Sequence, residues 1–258
     1  MTKIFLLIAL ALCVASAEAW TRDADQGVRL YAREHLSERV LDEYRKLLRL
    51  NRNVPYEKAA VPTDQRWNKV LLDADLRSTT TFEGDVVVQL EQAAEVLRNR
   101  ANHSDEEVVK ALRSVWYNII RLHTISLVRI EGNAKSEGFT IYYSGGEMAA
   151  LEPKYKPRAS SWSRLWSRDA TVGFYGYTIE MFAEEIRICH GTDKEAFSKG
   201  TIRDWAADMG RECAAQLEWA SPDMTLYSLD RSNLGVVTDR LMAKAAFRMA
   251  ALLNDVLQ

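Results

Sequence analysis

Apolar and polar positions alternate with a helical period along most of this chain. Leu36, Val40, Tyr44, Leu47 and Leu48 recur at three- and four-residue spacing with charges between them, which predicts an amphipathic helix over 26–51. Pro55 and Pro62 interrupt the pattern, and 69–77 has room only for a short helix or a turn. Helical spacing returns over 83–99, where Val86, Leu90, Ala93, Ala94 and Leu97 share one side. In the most apolar stretch, 110–127, Leu112, Val115, Trp116, Ile119, Ile120 and His123 form a broad face that must be buried. Ser104 with Glu107 makes a capping box, so this helix begins near Asp105. A turn and a strand or hairpin follow over 139–146, then helices over 172–190 and 201–219 and a last helix over 234–257. Gly191 suits the C-terminal cap of the first of these, Thr201 with Asp204 caps the second, and Ser221-Pro222-Asp223 turns the chain towards the last. Many helices and one short β-hairpin predict a single all-α domain.

The N-terminus lies outside this pattern. Lys3 precedes an apolar run that ends at Ala15, and Ala17-Glu18-Ala19 fits the small-x-small rule of signal peptidase. The expectation is a signal peptide over 1–19 and a mature domain over 20–258 beginning at Trp20, secreted or lumenal in the secretory or vesicular pathway. No later stretch is long and apolar enough to cross a bilayer. The formal net charge is −2 with 27% charged residues, and removal of Lys3 and Glu18 leaves it unchanged, so there is no global attraction to nucleic acid or anionic membrane. The mature chain retains Cys189 and Cys213. A secretory route permits a disulfide between them, two free thiols being the alternative. Asn102-His103-Ser104 is an N-glycosylation acceptor.

One local anomaly stands out. Lys154, Lys156, Arg158, Arg164 and Arg168 carry five positive charges over 153–168 with no acid after Pro153, interleaved with Tyr155, Trp162 and Trp166. Cations with aromatic faces can hold single-stranded nucleic acid, because phosphates and base faces are both contacted. The alternative is a solvated loop whose tryptophans pack back on the body. No G-x-S-x-G, phosphate-binding glycine loop, C-x-x-C or H-E-x-x-H spacing occurs. Asp73 and Asp75 can bind a hard cation or act as acid and base, or else cap a helix and pair with Arg77.

The order of elements resembles the class I single-strand-specific nucleases and 3′-nucleotidases, which share a fold with zinc phospholipase C. Trp20 stands where that family has an N-terminal tryptophan whose free amine and carbonyl bind zinc. Asp73-Ala-Asp-Leu-Arg77 is similar to the family's W-A-D-x-I-R, and Leu122-His-Thr-Ile-Ser-Leu127 falls where it has D-x-H-Q-P-x-H. Glu137-Gly-Phe-Thr-Ile-Tyr-Tyr143 is similar to G-G-N-x-I-x-V, Gly146-Glu-Met-Ala-Ala-Leu-Glu152 to N-L-H-x-V-W-D, and residues 240–254 to the last helix, A-G-x-R-L-A-x-x-L-N.

The resemblance implies three zinc ions that polarise a phosphodiester and generate hydroxide. This sequence departs from that set. Tyr117 and Leu127 stand where the family has histidines, Arg121 where it has an aspartate, Met148 where it has a histidine, and Thr80 or Thr81 where its W-H-Y histidine falls. Trp20, Asp25, Asp75 and Glu152 are the residual metal positions. The chain has four histidines in all, and His123 occupies a family position that is not a ligand. The first expectation is therefore a degenerate pseudoenzyme with no resident cofactor. It would bind nucleic acid, nucleotide or a protein partner in the former cleft, through Arg121, Lys154, Lys156, Arg158, Trp162, Arg164 and Trp166, with Arg121 able to take phosphate directly. The second is an active metal-dependent endonuclease or 3′-nucleotidase in which the residual positions hold one divalent ion, Mg²⁺ or Ca²⁺ rather than zinc. The third is a helical structural or interaction protein.

Overall fold

The computed structural model describes residues 20–47, 69–78, 84–143, 159–167, 170 and 177–258. Of these, 73% are helical and 8% strand, as the sequence predicts for an all-α domain. Thr21 starts α1 (Arg22–Arg33), its hydroxyl accepting from the Ala24 amide, and Asp23 and Asp25 lie in the first turn, where the helix dipole favours them. The single helix expected over 26–51 is broken. A turn at 34–37 separates α1 from α2 (Glu38–Leu47), and the last helix holds it open: Asn254 donates to the His35 carbonyl at 2.9 Å and accepts from the Ser37 amide at 3.0 Å. Ser37 then accepts from the Val40 amide and restarts the helix.

Residues 70–72 form β1 (Val70–Leu72) rather than a helix, and a turn follows. α3 (Val86–Arg98) is capped by Asp85, and α4 (Asp105–Leu122) begins at the expected capping box of Ser104 and Glu107. α4 stops at Leu122, short of the predicted 127, because two side chains take its last carbonyls. The His123 ring bonds to Ile119 O at 2.6 Å and the Thr124 hydroxyl donates to Ile120 O at 3.0 Å. The chain then runs into β2 (Val128–Ile130), which pairs in parallel with β1, Val70 opposite Val128.

The β content exceeds the one hairpin predicted. β3 (Thr140–Tyr143) pairs antiparallel with β4 (Ala159–Ser161) and parallel with β5 (Thr225–Leu226). Between these strands lie α5 (Trp162–Ser167), α6 (Ile179–His190), α7 (Lys194–Ser198) and α8 (Ile202–Trp219), the last closed by its expected Thr201–Asp204 capping box.

The final helix, α9 (Ser228–Val256), shares the centre with α4. Its run from Leu241 to Ala250 is buried almost throughout, and it packs against α1, α3, α4, α6 and α7. Alanines at 243, 245, 246 and 250 let those neighbours approach closely. α1 meets α6 at Gly27, where a Cβ would lie 2.4 Å from that of Phe182, so only glycine permits the contact. One continuous apolar core links all these elements.

Candidate functional site

The structure brings together some of the residues singled out above and separates others. α1 supplies Asp25 and Arg29, α2 supplies Tyr44, and α4 supplies Tyr117 and Arg121. These side chains act on one another electrostatically in the interior. Burial lowers the pKa of Arg29 most, while Asp25, Tyr44 and Tyr117 raise it. Burial likewise lowers Arg121, which Tyr117 and Asp25 support. Arg121 donates from Nη1 to the Tyr117 hydroxyl at 2.7 Å, and its guanidinium lies 4.9 Å from the centre of that ring. Arg29 is 7% exposed, its Nε is sealed from solvent, and no hydrogen bond or salt bridge within the described residues engages its guanidinium.

Two further cations join this field from the small parallel sheet. Lys69, just before β1, is held down to about 8 by burial and by the charges of Arg129 and Arg121. Arg129, on β2, donates to the carbonyls of Ser126 and Val128 at 2.9 Å and faces Glu137 at 3.4 Å. Asp25 is thus set among arginines. That environment suits an anion, because a buried cation needs a compensating charge.

The residues that the resemblance would assign to zinc do not fit that metal. Tyr117 and Leu127 offer no imidazole, Leu127 is buried, and Arg121 places a cation where the resemblance calls for a bridging carboxylate. Asp75 is not gathered to Asp25. It lies in an exposed turn and pairs with Arg77, while Asp73 accepts from the Asp75 and Arg77 amides at 3.0 and 2.8 Å. Trp20 is 2% exposed and packs in the core ahead of α1. Thr80, Thr81, Met148, Glu152, Lys154, Lys156, Arg158 and Arg168 lie outside the described residues.

The proposed aromatic contacts need correction. Trp162 and Trp166 are each 1% exposed, Trp162 stacking on Phe139 at 5.0 Å and meeting Trp166 edge-on at 5.6 Å. They complete the core beside the β3–β4 pair and present no face to a base; Arg164 alone of this described segment's candidates is exposed. The disulfide is also corrected. Cys189 and Cys213 are free thiols, Cys189 exposed on α6 and Cys213 buried on α8 with Sγ 3.9 Å from Ile125 O. Burial pushes Cys213 up to about 12. Asn102 is exposed on a short 3-10 turn, open to modification.

The histidines do not converge. His123 is fully buried and neutral: burial and Arg248 hold its pKa well below the usual value. Arg248 donates to Nε2 at 2.9 Å, so Nδ1 carries the proton donated to Ile119 O. Arg248 belongs to a paired network between α8 and α9. Asp208 Oδ2 accepts from Arg248 at 2.7 Å and Lys244 at 2.8 Å, and Glu212 accepts from Lys244 at 3.0 Å and Arg240 at 2.8 Å.

Two groupings escaped the sequence. Arg29 recurs four residues after Asp25 on a buried helix face, a spacing that could have flagged it. Glu185, Cys189 and Asp239 offer ligand atoms that all lie within 4.8 Å of one another, the one such grouping among the described residues, and only the Glu185–Cys189 half is readable as an i, i+4 pair. No protein-family model matches the chain, and no curated protein matches it.

Proposed function

We propose that the protein is a secreted, non-hydrolytic relative of the class I single-strand-specific nucleases that binds the phosphate group of a nucleotide or of single-stranded nucleic acid. The observation that carries this reading is Arg29, a buried guanidinium with no hydrogen bond or salt bridge in the described residues, which shares the influence of Asp25 and Tyr117 with Arg121, itself in the field of Lys69. A guanidinium is permanently charged and its planar fork matches two phosphate oxygens, so a phosphate would supply the missing acceptors and charge together. Tyr117 and Tyr44 can donate hydroxyls to the same group. Catalysis is not part of this reading, because the side chains at the zinc positions cannot gather the metal that would activate water.

Calorimetric titration with inorganic phosphate, a 3′-mononucleotide and a short single-stranded DNA tests it, alongside a cleavage assay with added zinc. The expected result is saturable binding of the phosphate compounds without hydrolysis, weakened about tenfold or more in Arg29→Met, the scale of one lost charge-assisted contact. Chelator-sensitive cleavage would overturn the non-hydrolytic reading. Absence of phosphate binding, or binding unchanged in Arg29→Met, would overturn the site and leave the structural or protein-partner reading.

A further inference from the structure

A second grouping of reactive side chains lies between α6 and α9, apart from the basic interior. Glu185 and Cys189 are one turn apart on α6 and share a face, and Asp239 meets them from α9. Their ligand atoms lie within 4.8 Å of one another. The Cys189 thiol points at Glu185 Oε1 at 3.7 Å, while Tyr177 donates to the other oxygen, Oε2, at 3.4 Å. Asp239 is 7% exposed. Its Oδ1 is sealed from solvent, and no hydrogen-bond donor reaches it. A carboxylate oxygen buried without a donor is costly unless a cation meets it.

His190 completes the arrangement. It follows Cys189 at the end of α6, and its Nε2 lies 3.3 Å from Asp239 Oδ2. Its Nδ1 is 2.9 Å from Asp193 Oδ2, in the turn that follows α6. A carboxylate on one ring nitrogen, with the other nitrogen directed into a ligand group, is the support that metal-bound histidines ordinarily have.

We infer that Glu185, Cys189, Asp239 and His190 form a zinc site that pins α6 to α9. One thiolate, one imidazole and two carboxylates make a four-ligand set suited to a borderline-soft ion, whereas a thiolate disfavours calcium and magnesium. Zinc bonds of about 2.0–2.3 Å place tetrahedral ligand atoms roughly 3.3–3.8 Å apart, so modest side-chain rotations close the present spacing. Cys189 is exposed, which leaves the ion a path from solvent. Binding replaces the thiol proton, which leaves as H⁺ while sulfur keeps the electron pair it donates to the metal; no oxidant or reductant is needed. None of these residues belongs to the positions aligned with the nuclease family, and the inference stands independently of the phosphate reading.

Cobalt(II) reports the ligand set directly. The full protein, stripped with a chelator under reducing conditions, is titrated with Co²⁺ and then with Zn²⁺. The expected result is one equivalent bound, with a thiolate-to-cobalt charge-transfer band and intense tetrahedral visible bands, all displaced by Zn²⁺. Cys189→Ser, at an exposed position that should fold normally by circular dichroism, should abolish the charge-transfer band. His190→Ala should keep that band and bind at least about tenfold more weakly, since losing a ligand costs no less than losing one of its outer-shell supports. Glu185→Gln, at a half-buried position, supplies a second ligand variant if Asp239→Asn fails to fold, and either should weaken binding. No charge-transfer band, or a band that survives Cys189→Ser, would overturn the site.

Discussion

Two regions of this molecule bury several charges each, and they do so differently. Between α8 and α9 the charges are matched. Asp208 serves Lys244 and Arg248, Glu212 serves Lys244 and Arg240, and the remaining Arg248 donors reach His123 and the Phe197 carbonyl. In the interior between α1, α2 and α4, Arg29 and Arg121 lie in the field of Asp25 with Lys69 beyond, and Arg29 has no bonded acceptor in the described residues. A matched network has satisfied its desolvation cost internally and acts as structure. A buried guanidinium without an acceptor is stable only at the expense of the fold, and a ligand that carries the missing acceptors recovers that cost. The same chemistry is thus closed in one place and open in the other.

The sharpest break of this contrast is Asp208→Ala. It strips Lys244 and Arg248 of their shared carboxylate, and removing one partner of a buried pair costs about 3–5 kcal/mol, read as a lower midpoint in urea. A loss within the range of an ordinary surface substitution would mean that the network is not structural.

Acid should find the same network next. Burial alone would raise Asp208, but the hydrogen bonds and charges of Lys244 and Arg248 outweigh it and hold the group down to about 2 against 3.8 unfolded. A lowered carboxylate contributes stability that is present above the unfolded value and is lost as pH falls towards the folded one. Between pH 4 and 2 the wild type should therefore lose about 2 kcal/mol through this group, and Asp208→Ala should lack that component of its acid limb. His123 adds in the same direction from a higher pH: its depressed pKa favours the neutral ring, so its contribution is full above about 6.5 and declines below.

Arg29→Met should behave oppositely to Asp208→Ala. Replacing a buried cation that lacks a bonded acceptor among the described residues with an apolar side chain of similar length should leave thermal stability unchanged or raised by about 1 kcal/mol, while phosphate affinity falls about tenfold, roughly 1.4 kcal/mol. If Arg29→Met destabilises the protein as strongly as Asp208→Ala, the two regions are alike and the phosphate site fails.

The smallest effect concerns Lys69. Burial, Arg129 and Arg121 lower it to about 8, so its charge fades as pH passes that value, with Glu137 the opposing influence. Sulfate, whose own charge does not change in this range, should bind about two- to fivefold more weakly at pH 9 than at pH 7, the scale of a partly screened charge. Lys69→Met should flatten the profile. An unchanged profile in the wild type would place Lys69 outside the site.

Much of the helical plan was legible because it depends on local chemistry. The capping boxes at Ser104–Glu107 and Thr201–Asp204 begin their helices where the sequence placed them. What failed depends on contacts remote in sequence. The break between α1 and α2 is held by Asn254, Trp162 and Trp166 are drawn inward by Phe139 and the core, and the thiols at 189 and 213 are committed to different surroundings. The candidate sites divide in the same way. Arg121 could be singled out through the expected resemblance, whereas for Arg29 the sequence offers only its four-residue spacing from Asp25.

Residue type and spacing were enough for the helical class, for the starts of the capped helices and for the shortage of imidazoles in the chain, because each depends on groups within a turn or two of one another or on simple presence. Burial of Arg29 and Arg121 around Asp25, the pairing of Asp208 with Lys244 and Arg248, and the meeting of Asp239 with Glu185 and Cys189 required packed helices. A charge acquires its function from the solvent it has lost and the partner it has met, and both follow from how distant segments close around it.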